Sequence, residues 1–342
     1  MKKGFEEKTF ISFFDLIKRT KKAVILSHIH PDGDAIGSML AMYHYLTLQN
    51  IPAVCIVPSD IPDFLLWMKD SHSILIYKTH PDESLSQIFD ADTLICLDFN
   101  DPERLAGMHN AFSQSKAKKI LIDHHLEPKN VFNLIISDPT ASSTCELLYR
   151  LLKLSGNDSC KNQIIAECLF TGIMTDTGCF SYNSSQPSTF IHVAELLNTA
   201  IDKDRIYRNI YNNFSADRMK LLGYLLNTMT VLTDFNTAYI QLSKETQNTY
   251  HFKTGDSEEF VNYPMQIAGI RFTCLFMERD NYIKLSFRSK GNFDVSAFAA
   301  RHFNGGGHYN ASGGEWHNSM DSAVSHFNQL LKQYKKELNV SL

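Results

Sequence analysis

Short apolar runs that alternate with stretches of helical spacing constrain this chain more than any other feature. Residues 23–26, 53–57, 74–77, 93–97 and 119–122 are predominantly apolar runs. Each suits a strand buried on both faces. The segments between them are long enough for crossover helices. In 35–48, Ile36, Leu40, Met42, Tyr43 and Leu46 recur at helical spacing. The alternation predicts an α/β fold with an N-terminal, doubly wound, mostly parallel sheet. Residues 146–154 and 163–174 read as helices, the second with Ile164, Ile165, Cys168, Leu169 and Ile173 on one face. The pattern from 189 to 229 is helical throughout, with Asp202, Asp204 and Asp217 as candidate caps or turn markers. From Thr237 the texture changes. Residues 238–242, 272–278 and 282–287 read as strands, with a hairpin turn at Arg279-Asp280-Asn281. Residues 295–303 and 320–338 read as helices around a glycine-rich loop. The division expected is 1–200, a helical connector 201–232, and a smaller α/β domain 233–342.

Composition narrows the class. The length of 342 residues suits two domains, and a hydrophobic fraction of 44% is that of a globular protein. Thirty-three basic against thirty-seven acidic residues give a formal charge of −4. That disfavours binding of long nucleic acid by bulk positive charge, but leaves room for a local pocket taking a short phosphorylated ligand. No apolar run reaches the length of a membrane span. Acidic residues stand near the N-terminus where a secretion signal needs an apolar core. The seven cysteines are scattered, odd in number and form no Cys-x-x-Cys pair, so neither a disulfide framework nor a structural zinc site is expected. A cytoplasmic protein with reduced thiols is the reading. A homodimer is compatible with the sequence, though no single feature establishes it.

Chemistry gathers at strand ends. Ser27-His28-Ile29-His30-Pro31-Asp32-Gly33-Asp34 follows the first strand and opens a helix. In an open parallel sheet that is where ligands bind. His28, Asp32 and Asp34 offer one imidazole and two carboxylates, a donor set suited to Mn²⁺, Mg²⁺, Fe²⁺ or Zn²⁺. Read as local structure, the same residues are an Asx turn with a helix cap. Asp98 follows the strand 93–97, and Asp123-His124-His125 ends the next. Asp176 closes an apolar helical stretch, where a carboxylate gains nothing from the helix dipole. A strand-end Asp or a histidine pair alone is weak. Three of the four groups, however, follow strands of one sheet and converge on one edge. Together they supply donors for two metals with one carboxylate bridging, a constellation that positions and activates water for in-line attack on phosphorus.

The set His-x-x-Pro-Asp-Gly-Asp-Ala-x-Gly-Ser, strand-end Asp, Asp-His-His and Thr-Asp-Thr-Gly, in this chain order, resembles the DHH phosphoesterase superfamily. Gly305-Gly306-Gly307-His308-Tyr309-Asn310-Ala311-Ser312-Gly313-Gly314 resembles the signature of the associated DHHA1 domain. Overall the chain is similar to the branch of compact bifunctional oligoribonucleases and pAp phosphatases. The resemblance implies two Mn²⁺ per chain, with Mg²⁺ or another divalent ion as substitutes. It implies that His28, Asp32 and Asp98 hold the first ion and that Asp34, Asp98, His124 and Asp176 hold the second. It makes His125 the contact to the scissile phosphate and Asp123 the residue that orients a ligating histidine. Arg288, Ser289, Gly305, Gly306, Gly307 and His308 become the substrate-binding group. Ser142-Ser143-Thr144 matches a further family segment and reads mainly as a helix cap. Two positions depart from the pattern: His30 stands where relatives often carry Asn, and Ser181 where they often carry Arg.

The expected substrates are short RNA or a 3′,5′-bisphosphorylated nucleoside such as pAp. Linear or cyclic dinucleotides and polyphosphate are alternatives that the same chemistry would serve. A catalytically dead nucleotide-binding regulator is the alternative of another class, and a complete ligand set counts against it.

Overall fold

β1 (Ala23–Leu26) is fully buried along its length, and its alternate side chains enter two different apolar clusters. Ala23 and Ile25 pack into one, Val24 and Leu26 into the other. A continuous apolar run is what a strand covered on both faces requires. The computed structural model describes residues 7–156 and 158–339. The chain divides into two compact units, Met1–Asn213 and Phe214–Leu342.

In the first unit β1 is joined by β2 (Ala53–Val57), β3 (Leu75–Ile76), β4 (Thr93–Leu97), β5 (Lys118–Asp123) and β6 (Leu134–Ser137). All pairings are parallel and the order is β3-β2-β1-β4-β5-β6. The order reverses between β1 and β4, which opens a crevice at their carboxyl ends. The helices are α1 (Glu7–Arg19), α2 (Gly33–Leu48), α3 (Pro81–Asp90), α4 (His109–Gln114), α5 (Thr144–Lys153), α6 (Gln163–Asp176), α7 (Pro187–Leu197) and α8 (Lys203–Tyr211). α1, α2, α5 and α6 cover one face of the sheet, and α3 and α4 the other. β6 has no counterpart among the runs read from the sequence, although its Leu134-Ile135-Ile136 is apolar.

α2 and α6 approach closely. A Cβ at Gly37 would lie 2.6 Å from the Cys168 carbonyl oxygen, and one at Gly172 would lie 2.2 Å from Cys145 Sγ and 2.7 Å from Asp34 Oδ1. Only glycine lets the helices cross at this distance. The crossing carries Asp34, in the first turn of α2, towards Asp176, at the end of α6.

The second unit contains α9 (Ala216–Thr228), β7 (Thr230–Leu232), β8 (Thr237–Leu242), α10 (Lys244–Thr249), β9 (Phe272–Glu278), β10 (Ile283–Ser289), α11 (Val295–His302), β11 (Gly306–His308), β12 (Ala311–Trp316), α12 (Met320–Gln333) and α13 (Lys335–Leu338). Its sheet runs β11-β12-β10-β9-β8-β7, with β8 and β9 parallel and the other pairs antiparallel. Buried phenylalanines, Phe272, Phe287, Phe298 and Phe327 among them, fill its main core.

Two readings of the sequence change. The stretch 189–229 is broken into three helices, with Asp202 capping α8 through Arg205 N–H and Ser215 capping α9 through Arg218 N–H. The glycine-rich segment is a hairpin of two strands rather than a loop. A Cβ at Gly305 would fall 1.9 Å from the Gly313 carbonyl oxygen, so close backbone approach selects glycine there. Among the described residues no helix is long and apolar enough to cross a membrane.

Candidate metal centre

The ends of β1, β4 and β5 lie side by side because these three strands are neighbours in the sheet. His28 follows β1, Asp98 follows β4, and Asp123 ends β5 ahead of His124 and His125. Asp98 adopts a positive φ of 66°. That conformation is costly for a non-glycine residue and is found disproportionately at functional sites. α2 brings Asp32 and Asp34, and α6 brings Asp176.

Asp32 is the cap of α2, its Oδ1 accepting from Asp34 N–H and Ala35 N–H at 3.0 Å each. The cap reading of this turn and its ligand reading therefore hold together, because Asp32 Oδ2 takes no part in the cap. His28 Nδ1 donates to the Ile29 carbonyl at 2.8 Å, which leaves Nε2 as the bare nitrogen 3.3 Å from Asp98 Oδ2. His124 Nε2 lies 3.6 Å from Asp98 Oδ1, 3.5 Å from Asp176 Oδ2 and 3.9 Å from Asp34 Oδ2. The donor atoms of His28, Asp32 and Asp98 lie within 4.8 Å of one another, as do those of Asp34, His124 and Asp176. Asp98 thus faces both groups, one oxygen towards each.

All six predicted ligands meet in this one cluster. Asp34, Asp98, His28 and His124 are each at most 4% exposed. Burial and the neighbouring Asp98 and Asp176 carboxylates push Asp34 well above the usual carboxylate range. For Asp98 burial acts upward, but the adjacent imidazoles of His28, His125 and His124 outweigh it and hold the group low. Burial would lower His124, yet the Asp176, Asp98 and Asp34 carboxylates win and lift it to about 9. The cluster therefore calls for positive charge, which a buried group of acids cannot do without. Most of its N···O separations exceed those of charge-assisted hydrogen bonds, about 2.7–2.9 Å. They match ligands sharing a cation at about 2.1 Å. The residues present fit divalent metal ions.

His125 sits at the rim. Its Nδ1 donates to Asp123 Oδ1 at 2.7 Å and its backbone N–H to Asp123 Oδ2 at 3.1 Å. Arg104 Nη1 lies 3.2 Å from His125 Nε2 and 3.4 Å from the Asp98 carbonyl oxygen. The Arg104 carbonyl accepts from Ile29 N–H at 2.8 Å. Arg104 therefore ties together the loops that follow β1, β4 and β5. In the sequence it carries no recognisable signal, an Arg seven residues after the end of β4. Thr144 belongs to the Ser142-Ser143-Thr144 segment, which reads mainly as a helix start. Its neighbour Ser143 is indeed the cap of α5, accepting from Glu146 N–H at 3.0 Å. Thr144 itself also reaches the cluster, and its Oγ1 donates to Asp98 Oδ1 at 2.9 Å.

The candidate substrate residues lie in the second unit. Arg288 on β10 faces Ala311 on β12, and Ala311 faces His308 on β11. Directly opposed residues project from the same side of a sheet, so Arg288 and His308 share a face two strands apart. Gly306 and Gly307 belong to the same edge strand as His308, and Gly305 precedes them. Ser289 is turned inward, its Oγ donating to the Phe293 carbonyl at 2.6 Å and accepting from Asn310 Nδ2 at 2.8 Å. Ser289 supports the hairpin rather than lining that face.

A six-stranded parallel sheet with an Asp/His cluster at its carboxyl edge, followed by a second α/β unit, is an arrangement suited to metal-assisted hydrolysis of phosphoesters, and the comparisons place the chain in that class. Residues 22–173 match the DHH family, N-terminal domain, and residues 238–337 match the DHHA1 domain. The chain is 27% identical over 304 residues to the bifunctional oligoribonuclease and PAP phosphatase NrnA of Bacillus subtilis, covering 89% of this chain and 90% of that one. It superposes on the crystal structure of an exopolyphosphatase-related protein from Bacteroides fragilis with a TM-score of 0.93. Identity there is 44%, covering 99% of this chain and all of that one. RecJ of Thermus thermophilus, crystallised with Mn²⁺, shares the fold at a TM-score of 0.53 and 11% identity, over 96% of this chain and 54% of RecJ. The chain belongs to the DHH phosphoesterase family and carries a DHHA1 domain.

Proposed function

We propose that this protein is a two-metal, Mn²⁺-dependent phosphoesterase that hydrolyses short oligoribonucleotides and 3′,5′-bisphosphorylated nucleosides such as pAp. The observation that carries the reading is the position of Asp98, one oxygen facing His28 and the other His124. In this reading His28, Asp32 and Asp98 hold one cation, and Asp34, Asp98, His124 and Asp176 the other. Bound there, paired cations make water easier to deprotonate and neutralise charge on the leaving oxygen. His125 faces the phosphate, and Asp123 holds the proton on its Nδ1. Arg104 adds fixed positive charge beside His125, in a chain whose Ser181 supplies none. The buried walls of the cluster exclude bulk water, which strengthens each of these interactions.

The shared face of Arg288 and His308 would take the terminal phosphate of the substrate. Glycine backbone N–H groups beside it allow an anion to approach closely. The net charge of −4 suits a small substrate rather than a long strand. The names of the Bacillus subtilis relative support RNA and pAp. The Bacteroides fragilis structure favours a second reading, in which the phosphate chain of polyphosphate occupies the same site.

A product-resolved turnover assay in Mn²⁺ separates these. Offered side by side are pAp, a 5′-phosphorylated dinucleotide, a five-residue RNA, a cyclic dinucleotide and polyphosphate, with Asp98→Ala as the blank. Cleavage of pAp and short RNA, absent in the variant, is the expected result. Turnover of polyphosphate alone would replace the substrate, and activity retained in Asp98→Ala would overturn the mechanism.

A further inference from the structure

Asp98 is asked to present one oxygen to each of two histidine groups, yet the last torsion of an aspartate is soft and has no sharp staggered wells. Something must hold the carboxylate in that rotation. Thr144, fully buried at the first position of α5, is placed to do so. Its hydroxyl donates to Asp98 Oδ1 at 2.9 Å. Its backbone N–H donates to Asp34 Oδ2 at 2.6 Å, and the next N–H, from Cys145, donates to Asp34 Oδ1 at 2.9 Å. One residue and its neighbour thus reach the bridging carboxylate and a carboxylate of the second ligand group. The free N–H groups of a helix start also favour negative charge at Asp34.

The support behind Thr144 is itself fixed. Ser142 donates to Glu146 Oε2 from its N–H at 2.9 Å and from its hydroxyl at 2.6 Å. Thr189 Oγ1 donates to the same oxygen at 3.0 Å, and His192 Nδ1 donates to Glu146 Oε1 at 2.9 Å. Asn183 Nδ2 donates to the Ser142 carbonyl at 3.0 Å. The turn that carries Thr144 is therefore pinned from α5, from α7 and from the segment ahead of α7. It holds its place without help from the acids it orients.

We propose that Thr144 is a positioning residue of the metal centre, its hydroxyl setting the rotation of Asp98 between the two ligand groups while its N–H and that of Cys145 orient Asp34. This rests on the two-metal reading above. The test compares Thr144→Val, which keeps the shape and both N–H groups but loses the hydroxyl, with Thr144→Ser, which restores it. Metal-free proteins are titrated with MnCl₂ by calorimetry, and kcat and KM for pAp are measured at saturating Mn²⁺. Thr144→Val is expected to bind Mn²⁺ about 10- to 100-fold more weakly, as outer partners of ligands do when removed. Its kcat falls with KM held, the metal-free protein still unfolds in one cooperative transition, and Thr144→Ser recovers both affinity and kcat. Where Thr144→Val fails to fold, Thr144→Ala against Thr144→Ser carries the same comparison. Wild-type Mn²⁺ affinity in the variant lacking the hydroxyl would overturn the proposal, as would an equal loss in Thr144→Ser. Asp98→Ala separates the two levels. Mn²⁺ binding that is lost in Asp98→Ala but kept in Thr144→Val sinks the role of Thr144 alone. A wild type that binds no Mn²⁺ sinks the two-metal reading and this proposal with it.

Discussion

Asp123 decides which nitrogen of His125 keeps its proton. It is fully buried and accepts both the Nδ1–H and the backbone N–H of His125, while Arg104, which can only donate, takes up Nε2. Asp123→Asn offers Nδ1 an amide in place of a carboxylate and loosens both the tautomer and the ring. On the proposed function, kcat for the preferred substrate is expected to fall by roughly 100-fold, with KM much less affected, in steady-state assays at saturating Mn²⁺. The clustering of these acids and histidines was legible in the sequence because they stand at the ends of neighbouring strands of one sheet. Arg104 was not legible. Its role comes from the turn after β4 folding back against the end of β5, and that register leaves no trace in residue spacing. The hydroxyl of Thr144 was hidden for another reason: Ser or Thr at a helix start already has a sufficient local explanation in capping.

At the scale of elements, the crossing of α2 and α6 and the tie between α5 and α7 both bear on the centre. Gly172→Ala puts a Cβ where Cys145 Sγ and Asp34 Oδ1 already stand. It is expected to cost about 1–3 kcal/mol in urea denaturation and, by shifting Asp34, to weaken Mn²⁺ binding in the same preparation. Glu146, tying α5 to α7, makes stability depend on pH. Burial acts upward on its carboxyl, but hydrogen bonds from His192, Ser142 and Thr189 outweigh it and bring it from 4.5 down to about 2. A depressed carboxylate stabilises the fold above its unfolded value, and that contribution fades as pH falls from about 4.5 towards 2. The contribution is on the order of 3 kcal/mol. Glu146→Gln is expected to flatten this part of the stability-against-pH curve relative to wild type, read from urea midpoints between pH 5 and 2.5. The strands of the first sheet were readable from apolar runs because both faces are covered. The hairpin of β11 and β12 was not, since it is built largely from glycine, whose strand character comes only from pairing.

For the molecule as a whole, charge is the term that metal would change most. A buried group of carboxylates opposes folding of the first unit until cations offset it. Mn²⁺ at about 100 times its dissociation constant is expected to stabilise the protein by about 2.7 kcal/mol per site, seen as a rise in thermal midpoint that a chelator reverses and Asp98→Ala lacks. The parallel order of the first sheet followed from the alternation of runs, and the change of texture near Thr237 announced a second sheet. The order β3-β2-β1-β4-β5-β6 has one more consequence. The candidate ligands His28, Asp98 and His124 are far apart in the chain and meet only when β1, β4 and β5 stand in register. No fragment that lacks one of those strands can assemble the cluster. Manganese uptake during refolding would therefore act as a clock for the central sheet, starting when its last long-range pairing closes and staying silent for every partly formed state before it.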